Sequence, residues 1–249
     1  MRPGRPVLRG QRARLRRRAL FLELQFDGTV TQTRMLRCAP DLLWVGYTRS
    51  MLAALWLQPQ PRTIGVIGLG GGAQVKFCHR YLPGARIEVV ENAAEVLALR
   101  EAFSIPRDDA RLRIELGDGA QWIRGQRGRF DLLLVDAYDA GGLPPALSTQ
   151  AFYDACRAAL RPEGVLASNL YATEPQRHHA KLRQAFGGRC VLLPEPGMSN
   201  QVAIAWNGQP KPPRPGQALR ALSWPARWQL RDGVRRLAQA WPGKDAPSP

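Results

Sequence analysis

From Thr63 onward the chain alternates short apolar runs with longer segments whose apolar positions recur every three or four residues, which is the pattern of strands each followed by a helix. Runs at Thr63 to Gly68, Arg86 to Glu91, Arg111 to Leu116, Phe130 to Asp136 and Gly164 to Leu170 are predicted strands, with helices beginning near Gly72, Ala93, Gly119 and Thr149. Leu132-Leu133-Leu134-Val135 is apolar at successive positions, which suits a central parallel strand covered on both faces. A helix from Gln176 to Phe186 precedes a last pair of strands, Arg189 to Leu193 and Gln201 to Trp206, predicted to close the sheet as an antiparallel hairpin. The expectation is an α/β, Rossmann-like sheet of seven strands.

Ahead of this run, Asp27-Gly28 supplies turn geometry between alternating segments, so Leu20 to Phe26 should pair with Thr29 to Leu36. A helix over Thr48 to Leu57 should stop at Gln58-Pro59-Gln60-Pro61. After Asn207 the chain turns rich in Pro, Arg and Trp, and at most a short amphipathic helix around Arg227 to Ala240 is expected there. The organisation predicted is a basic disordered arm over 1–18, a small N-terminal β-hairpin and helix over 19–58, the Rossmann-like domain over 59–208, and a Pro/Arg-rich tail over 209–249.

Composition narrows the class. With 249 residues and 45% hydrophobic content the chain can bury a large core. Its best apolar stretch, Leu42 to Leu57, is interrupted by Arg49, so a soluble protein away from membranes is expected. Glu23 follows the short apolar stretch Ala19 to Phe21 too closely for a secretory signal. Cys38, Cys78, Cys156 and Cys190 lack paired spacing, which reads as free thiols in a reducing cytoplasm and no metal site. The net charge is +16, and eight arginines between Arg2 and Arg18 precede any acidic residue. A solvated arm is the plainer reading, and nucleic-acid contact by that arm the sharper one.

The chemistry gathers at strand ends. Gly68-Leu69-Gly70-Gly71-Gly72 lets the backbone turn tightly after the first strand of the domain, and Gly68, Gly70 and Gly72 open a helix whose free amides face the same crevice. Glu91 closes the next strand about 20 residues on, where a carboxylate accepts both ribose hydroxyls. The plainer alternative is an exposed strand-end acid. In Gly117-Asp118-Gly119, Asp118 can accept from an adenine amino group and Gly119 lets the base lie against the backbone; Asp118 can also cap the next helix. Together these suggest a nucleoside of the S-adenosyl type. Asp136 and Asp139 follow the fourth strand and can converge on one cation, or serve as caps in a turn.

The combination resembles the spermidine synthase (polyamine aminopropyltransferase) family from about Phe26 to Trp206, through the glycine turn, Val89-Val90-Glu91, Gly117-Asp118-Gly119, Phe130-Asp131 through Asp136-Ala137-Tyr138-Asp139, Phe152-Tyr153, and Leu160-Arg161-Pro162-Glu163-Gly164-Val165-Leu166. The resemblance implies the sheet of the S-adenosylmethionine-dependent transferases, decarboxylated S-adenosylmethionine as donor, a small-molecule amine such as putrescine as acceptor, no metal, and a homodimer. Asp136 would take the proton from the attacking amine, while Asp139 and Tyr47 would hold an amine. Departures are visible: the family's G-G-G-D-G-G aspartate falls on Gly71, its E-I-D appears as Glu91-Asn92-Ala93, its D-S/T-D-P proline as Ala140, and Arg49 stands where an acid is common. Asn200-Gln201 approximates the family's late G-Q pair, and His178-His179 reads as surface histidines. The competing functions are a methyltransferase using intact S-adenosylmethionine and a non-catalytic nucleoside-binding protein.

Overall fold

The computed structural model describes residues 14–25, 31–138, 143–170 and 174–242. Three antiparallel strands, β1 (Arg14–Arg17), β2 (Phe21–Gln25) and β3 (Thr31–Leu36), make a small N-terminal sheet in that order. β2 and β3 are the predicted hairpin, with Leu22 opposite Met35, although Asp27-Gly28 itself lies outside the described residues. β1 corrects the expectation of a solvated arm through Arg18, because Arg14 to Arg17 pair along β2. Its arginines hide it from a search for apolar alternation, and charge is what an edge strand needs to resist further pairing.

The chain then runs through α1 (Gly46–Leu52), a 3-10 turn at Ala53–Trp56, β4 (Thr63–Ile67), α2 (Ala73–Tyr81), β5 (Arg86–Glu91), α3 (Ala94–Ala98), β6 (Leu112–Leu116), α4 (Gly119–Arg124), β7 (Phe130–Val135), α5 (Gln150–Ala159), β8 (Leu160–Leu170), α6 (Pro175–Ala185), β9 (Cys190–Pro194) and β10 (Gln201–Trp206). The strands form one sheet in the order β6-β5-β4-β7-β8-β10-β9, parallel except that β10 runs antiparallel to both neighbours. This is the predicted seven-stranded sheet. Its order reverses between β4 and β7, so a crevice opens at their carboxyl ends.

Alternation along β4 sorts the core. Ile64 and Val66 face the layer that contains α1 and α2, whereas Ile67 faces the layer of α4 and α5. Every residue of β7 is buried, as its unbroken apolar run requires. The Asp131 carboxylate accepts from the backbone amides of Arg62 and Thr63 at 2.8 and 2.9 Å and pairs with Arg161 at 3.2 Å, which fixes the entry of β4 beside β7.

The tail also needs correction. α7 (Pro215–Ala218) is short, but α8 (Trp224–Gln239) is a full helix whose Ala226, Leu230, Val234 and Leu237 join the core. Burial of side chains the size of Leu230, Val234 and Leu237 stabilises by about 1.5–3 kcal/mol each, so the helix is part of the fold. A side-chain carbon on Gly233 would stand 3.1 Å from the Arg49 carbonyl oxygen, so any other residue would push α8 a few tenths of an ångström away from α1. Among the described residues no helix is long and apolar enough to cross a membrane. All four cysteines are free, with Cys38 alone exposed. His178 is buried rather than at the surface, its Nδ1 2.8 Å from the Tyr153 hydroxyl.

Candidate active site

The glycine turn is built as its spacing predicts. Gly68, Gly70 and Gly72 have φ of 92°, 50° and 65°, values that side-chain-bearing residues rarely adopt. Gly68 has a second reason: a Cβ there would stand 2.3 Å from the Asp136 carbonyl oxygen. The Asp136 amide donates to the Ile67 carbonyl at 2.9 Å, so the turn and the loop after β7 lie against each other.

Glu91 is buried, not an exposed strand-end acid. One carboxylate oxygen accepts from the Leu69 amide at 2.7 Å and the other from the Ala93 amide at 2.9 Å. It therefore ties the glycine turn to the end of β5, and each oxygen keeps a second lone pair for another donor. Asp118 is exposed and caps α4, accepting from the Gln121 amide at 2.7 Å. Gly119 is required by packing, since a Cβ would meet Ile67 at 2.5 Å. Both sit on the loop after β6, at the same carboxyl edge of the sheet as Glu91.

At Gly71 the space that an aspartate side chain would take is filled. A Cβ there would stand 2.2 Å from Thr33 Cγ2 and 3.0 Å from Phe103 Cδ1, and the Gly71 amide donates to the Thr33 hydroxyl at 3.2 Å. The N-terminal sheet thus closes over the turn through β3. Beneath it Lys76 is buried, donating to the Phe103 carbonyl at 2.8 Å, and its desolvation lowers the ammonium pKa to about 8.

Asp136 is the centre on which the remaining polar groups converge. Its carboxylate accepts from Asn169 Nδ2 at 2.9 Å on Oδ1, from Gln74 Nε2 at 3.1 Å on Oδ2, and from the Tyr47 hydroxyl. Burial pushes the carboxyl up to about 6, while the Asn169 and Tyr47 hydrogen bonds hold it down. Burial first, and then the Asp136 charge, push the Tyr47 phenol well above its usual range, so it serves as a neutral donor. Asn169 is in turn oriented by Asn200, whose Nδ2 donates to Asn169 Oδ1 at 2.9 Å, and its carbonyl accepts from the Tyr138 hydroxyl.

Tyr47 reaches the site because α1 starts where it does. The Thr48 hydroxyl donates to the Val45 carbonyl at 2.6 Å, and Arg49 donates to the Leu43 and Trp44 carbonyls at 2.7 and 3.1 Å, bracing the chain ahead of the helix. One turn after Tyr47, Ser50 donates to Glu195 at 2.6 Å, and Arg236 of α8 pairs with the same carboxylate at 3.0 Å. The structure therefore brings Tyr47 to Asp136 and Glu91 to the glycine turn. Asp139 lies outside the described residues. Sequence reasoning missed Gln74, Asn169 and Thr33; the one available signal was a polar residue in otherwise apolar stretches, as at Gln74 and Asn169.

Residues 47–185 match the family model described as the spermine/spermidine synthase domain. The chain belongs to this family. It is 32% identical over 185 residues to a polyamine aminopropyltransferase of Chromobacterium violaceum, covering 73% of this chain and 70% of the relative. A polyamine aminopropyltransferase of Neisseria meningitidis serogroup A is 31% identical over 192 residues, covering 76% and 73%. Among solved structures, a spermidine synthase in complex with the transition-state analogue AdoDATO superposes with a TM-score of 0.68 at 19% identity, covering 90% of this chain and 86% of that one. Membership in the family bears out the resemblance and the transferase class, and it does not favour the methyltransferase reading.

Proposed function

We propose that the chain transfers the aminopropyl group of decarboxylated S-adenosylmethionine to a small aliphatic amine such as putrescine, with Asp136 as general base. The observation that carries this reading is the convergence of Tyr47, Gln74 and Asn169 on one carboxylate that burial tunes to about 6, directly beside the glycine turn. An alkylammonium is not a nucleophile, and a base poised near neutrality can take its proton and later release it.

The nucleoside half of the donor fits the residues present. Glu91 receives the ribose hydroxyls on its remaining lone pairs, Asp118 the adenine amino group, and the positive-φ glycines let the sugar approach the backbone. The amine nitrogen then attacks the propyl carbon bonded to sulfur. A C–N bond forms, the C–S electron pair returns to the sulfonium, neutral methylthioadenosine leaves, and Asp136 takes the amine's proton. The leaving group is already a good one, so positioning and proton removal are what the protein adds. Thr33 and Phe103 fill the space beside Gly71, so the donor's own ammonium is assigned to Asp139. A cytoplasmic setting fits the four free thiols.

The test is product identity. With decarboxylated S-adenosylmethionine, methylthioadenosine should appear only when an amine is present, together with the aminopropylated amine. Formation of S-adenosylhomocysteine from intact S-adenosylmethionine, with no reaction of the decarboxylated form, would overturn the proposal.

A further inference from the structure

The family pattern and the spacing of acids single out Asp136 but are silent on Gln74. Gln74 sits in the first turn of α2, two residues after the glycine turn, and is 5% exposed. Its Nε2 is 3.1 Å from Asp136 Oδ2 and 3.1 Å from the Met51 sulfur. A carboxylate only accepts, so the nitrogen must be the atom that faces it. The other end of the amide is anomalous: Oε1 is fully enclosed and has no hydrogen-bond partner among the described residues. Leaving a buried carbonyl oxygen unpaired costs about 1–3 kcal/mol, which a leucine or methionine of similar size would avoid.

We infer that Gln74 is a positioning residue that holds Asp136 in both of its protonation states, donating from Nε2 to the carboxylate and, after a half-turn of its amide, accepting at Oε1 from the carboxylic acid. This rests on the reading of Asp136 as the base. When Asp136 takes the amine's proton, an acid O–H on Oδ2 needs an acceptor, and an amide N–H is not one. The terminal torsion of glutamine is broad and roughly two-fold, so the half-turn exchanges N and O in nearly the same space. The half-turn replaces the Nε2–Asp136 bond by one from the acid O–H to Oε1, gives up the weak Met51 contact, and moves the unpaired end of the amide from Oε1 to Nε2, so one enclosed polar group lacks a partner among the described residues in either state. The enclosure also keeps a substrate amine from reaching Oε1 where it now stands. Asn169 cannot do the same, because its Oδ1 is already held by Asn200. The titratable groups around Asp136 are Tyr47 from α1 and, on its own loop, Tyr138; Gln74 from α2 and Asn169 from β8 are neutral at every working pH. Any contribution of Asp139 is common to all the variants compared below.

The experiment follows the full-length protein by NMR without substrate, with aspartate carboxyl carbons and glutamine side-chain amides labelled, and with Asp136→Asn to identify the Asp136 signal. A charge-assisted hydrogen bond is about twice as strong as a neutral one, so its loss should weaken the carboxylate more than the acid. Gln74→Leu and Gln74→Met should therefore raise the Asp136 midpoint by about 0.5 pH unit or more. In the unsubstituted protein the Gln74 amide protons should move upfield as Asp136 is protonated, with the same midpoint. With the transfer assay, the acid limb of kcat should shift with the NMR midpoint while the affinity for methylthioadenosine stays unchanged. A midpoint that is unchanged or lowered in both variants would overturn the inference, as would Gln74 amide signals that stay fixed through the titration. Since the titration needs no substrate, its result stands apart from product identity, which decides the transfer reaction itself.

Discussion

Replacing Gly71 by aspartate restores the residue that the family's G-G-G-D-G-G turn carries, yet the structure predicts that the protein will not accept it. The new Cβ would be 2.2 Å from Thr33 Cγ2 and 3.0 Å from the Phe103 ring, and the carboxylate beyond it would meet the same wall. Forcing extra atoms into a packed site costs about 1–3 kcal/mol. Displacing Thr33 also strains its 3.2 Å bond from the Gly71 amide, worth about 1 kcal/mol. For a chain of this size a loss of about 2 kcal/mol lowers Tm by about 4–8 °C. Urea unfolding and calorimetry of Gly71→Asp, Thr33→Ala and the double variant would close a thermodynamic cycle. Thr33→Ala removes the atom of closest approach, so the pair should show a favourable coupling of about 1–2 kcal/mol. A Gly71→Asp protein as stable as the unsubstituted one, or a penalty that Thr33→Ala leaves untouched, would refute the claim that β3 closes the aspartate's place.

Three further outcomes are expected. Glu91→Ala leaves the buried Leu69 amide and the half-buried Ala93 amide without their acceptor, so methylthioadenosine binding measured by calorimetry should weaken at least about tenfold, with a loss of about 1–3 kcal/mol of stability. The Asp136 carboxyl is raised to about 6 in the folded chain, so the stability its protonation adds is complete below the ordinary carboxylate range and is lost as pH rises through about 6. Asp136→Asn should therefore gain about 2–3 kcal/mol on the unsubstituted protein between pH 4 and pH 8, as read from urea midpoints at the two pH values. Arg236→Ala leaves the buried Glu195 carboxylate with Ser50 as its one side-chain partner among the described residues, which should cost about 3 kcal/mol in thermal or urea unfolding, with Arg236→Lys recovering part of it.

What could be read in advance was what local pattern encodes. The unbroken apolar run of β7, the strand-end glycines and the spacing from Gly68 to Glu91 each have one structural solution, and all three appear in the fold. What could not be read depends on contacts across long sequence separations. Gln74 meets Asp136 from 62 residues away and Thr33 meets Gly71 from 38, and no periodicity announces either. β1 escaped because four residues of which three are arginine carry no alternation. α8 was underrated because Pro, Arg and Trp dominate its composition, although Ala226, Leu230, Val234 and Leu237 keep the helical spacing of a buried stripe. Arg49, which resembled a lost acceptor-site acid, turned out to brace the backbone ahead of α1 and so to place Tyr47.

Asp136 as the base for amine attack is the centre of this account, and the rate of methylthioadenosine release by Asp136→Asn at pH 7.5 tests it most directly. The asparagine keeps the size of the side chain and can still be held by Gln74 and Asn169, but it cannot take a proton. Folding and nucleoside affinity should be preserved, while amine-dependent release falls by about 10²–10⁴-fold. A variant that folds, binds the nucleoside and turns over within tenfold of the unsubstituted protein would contradict it.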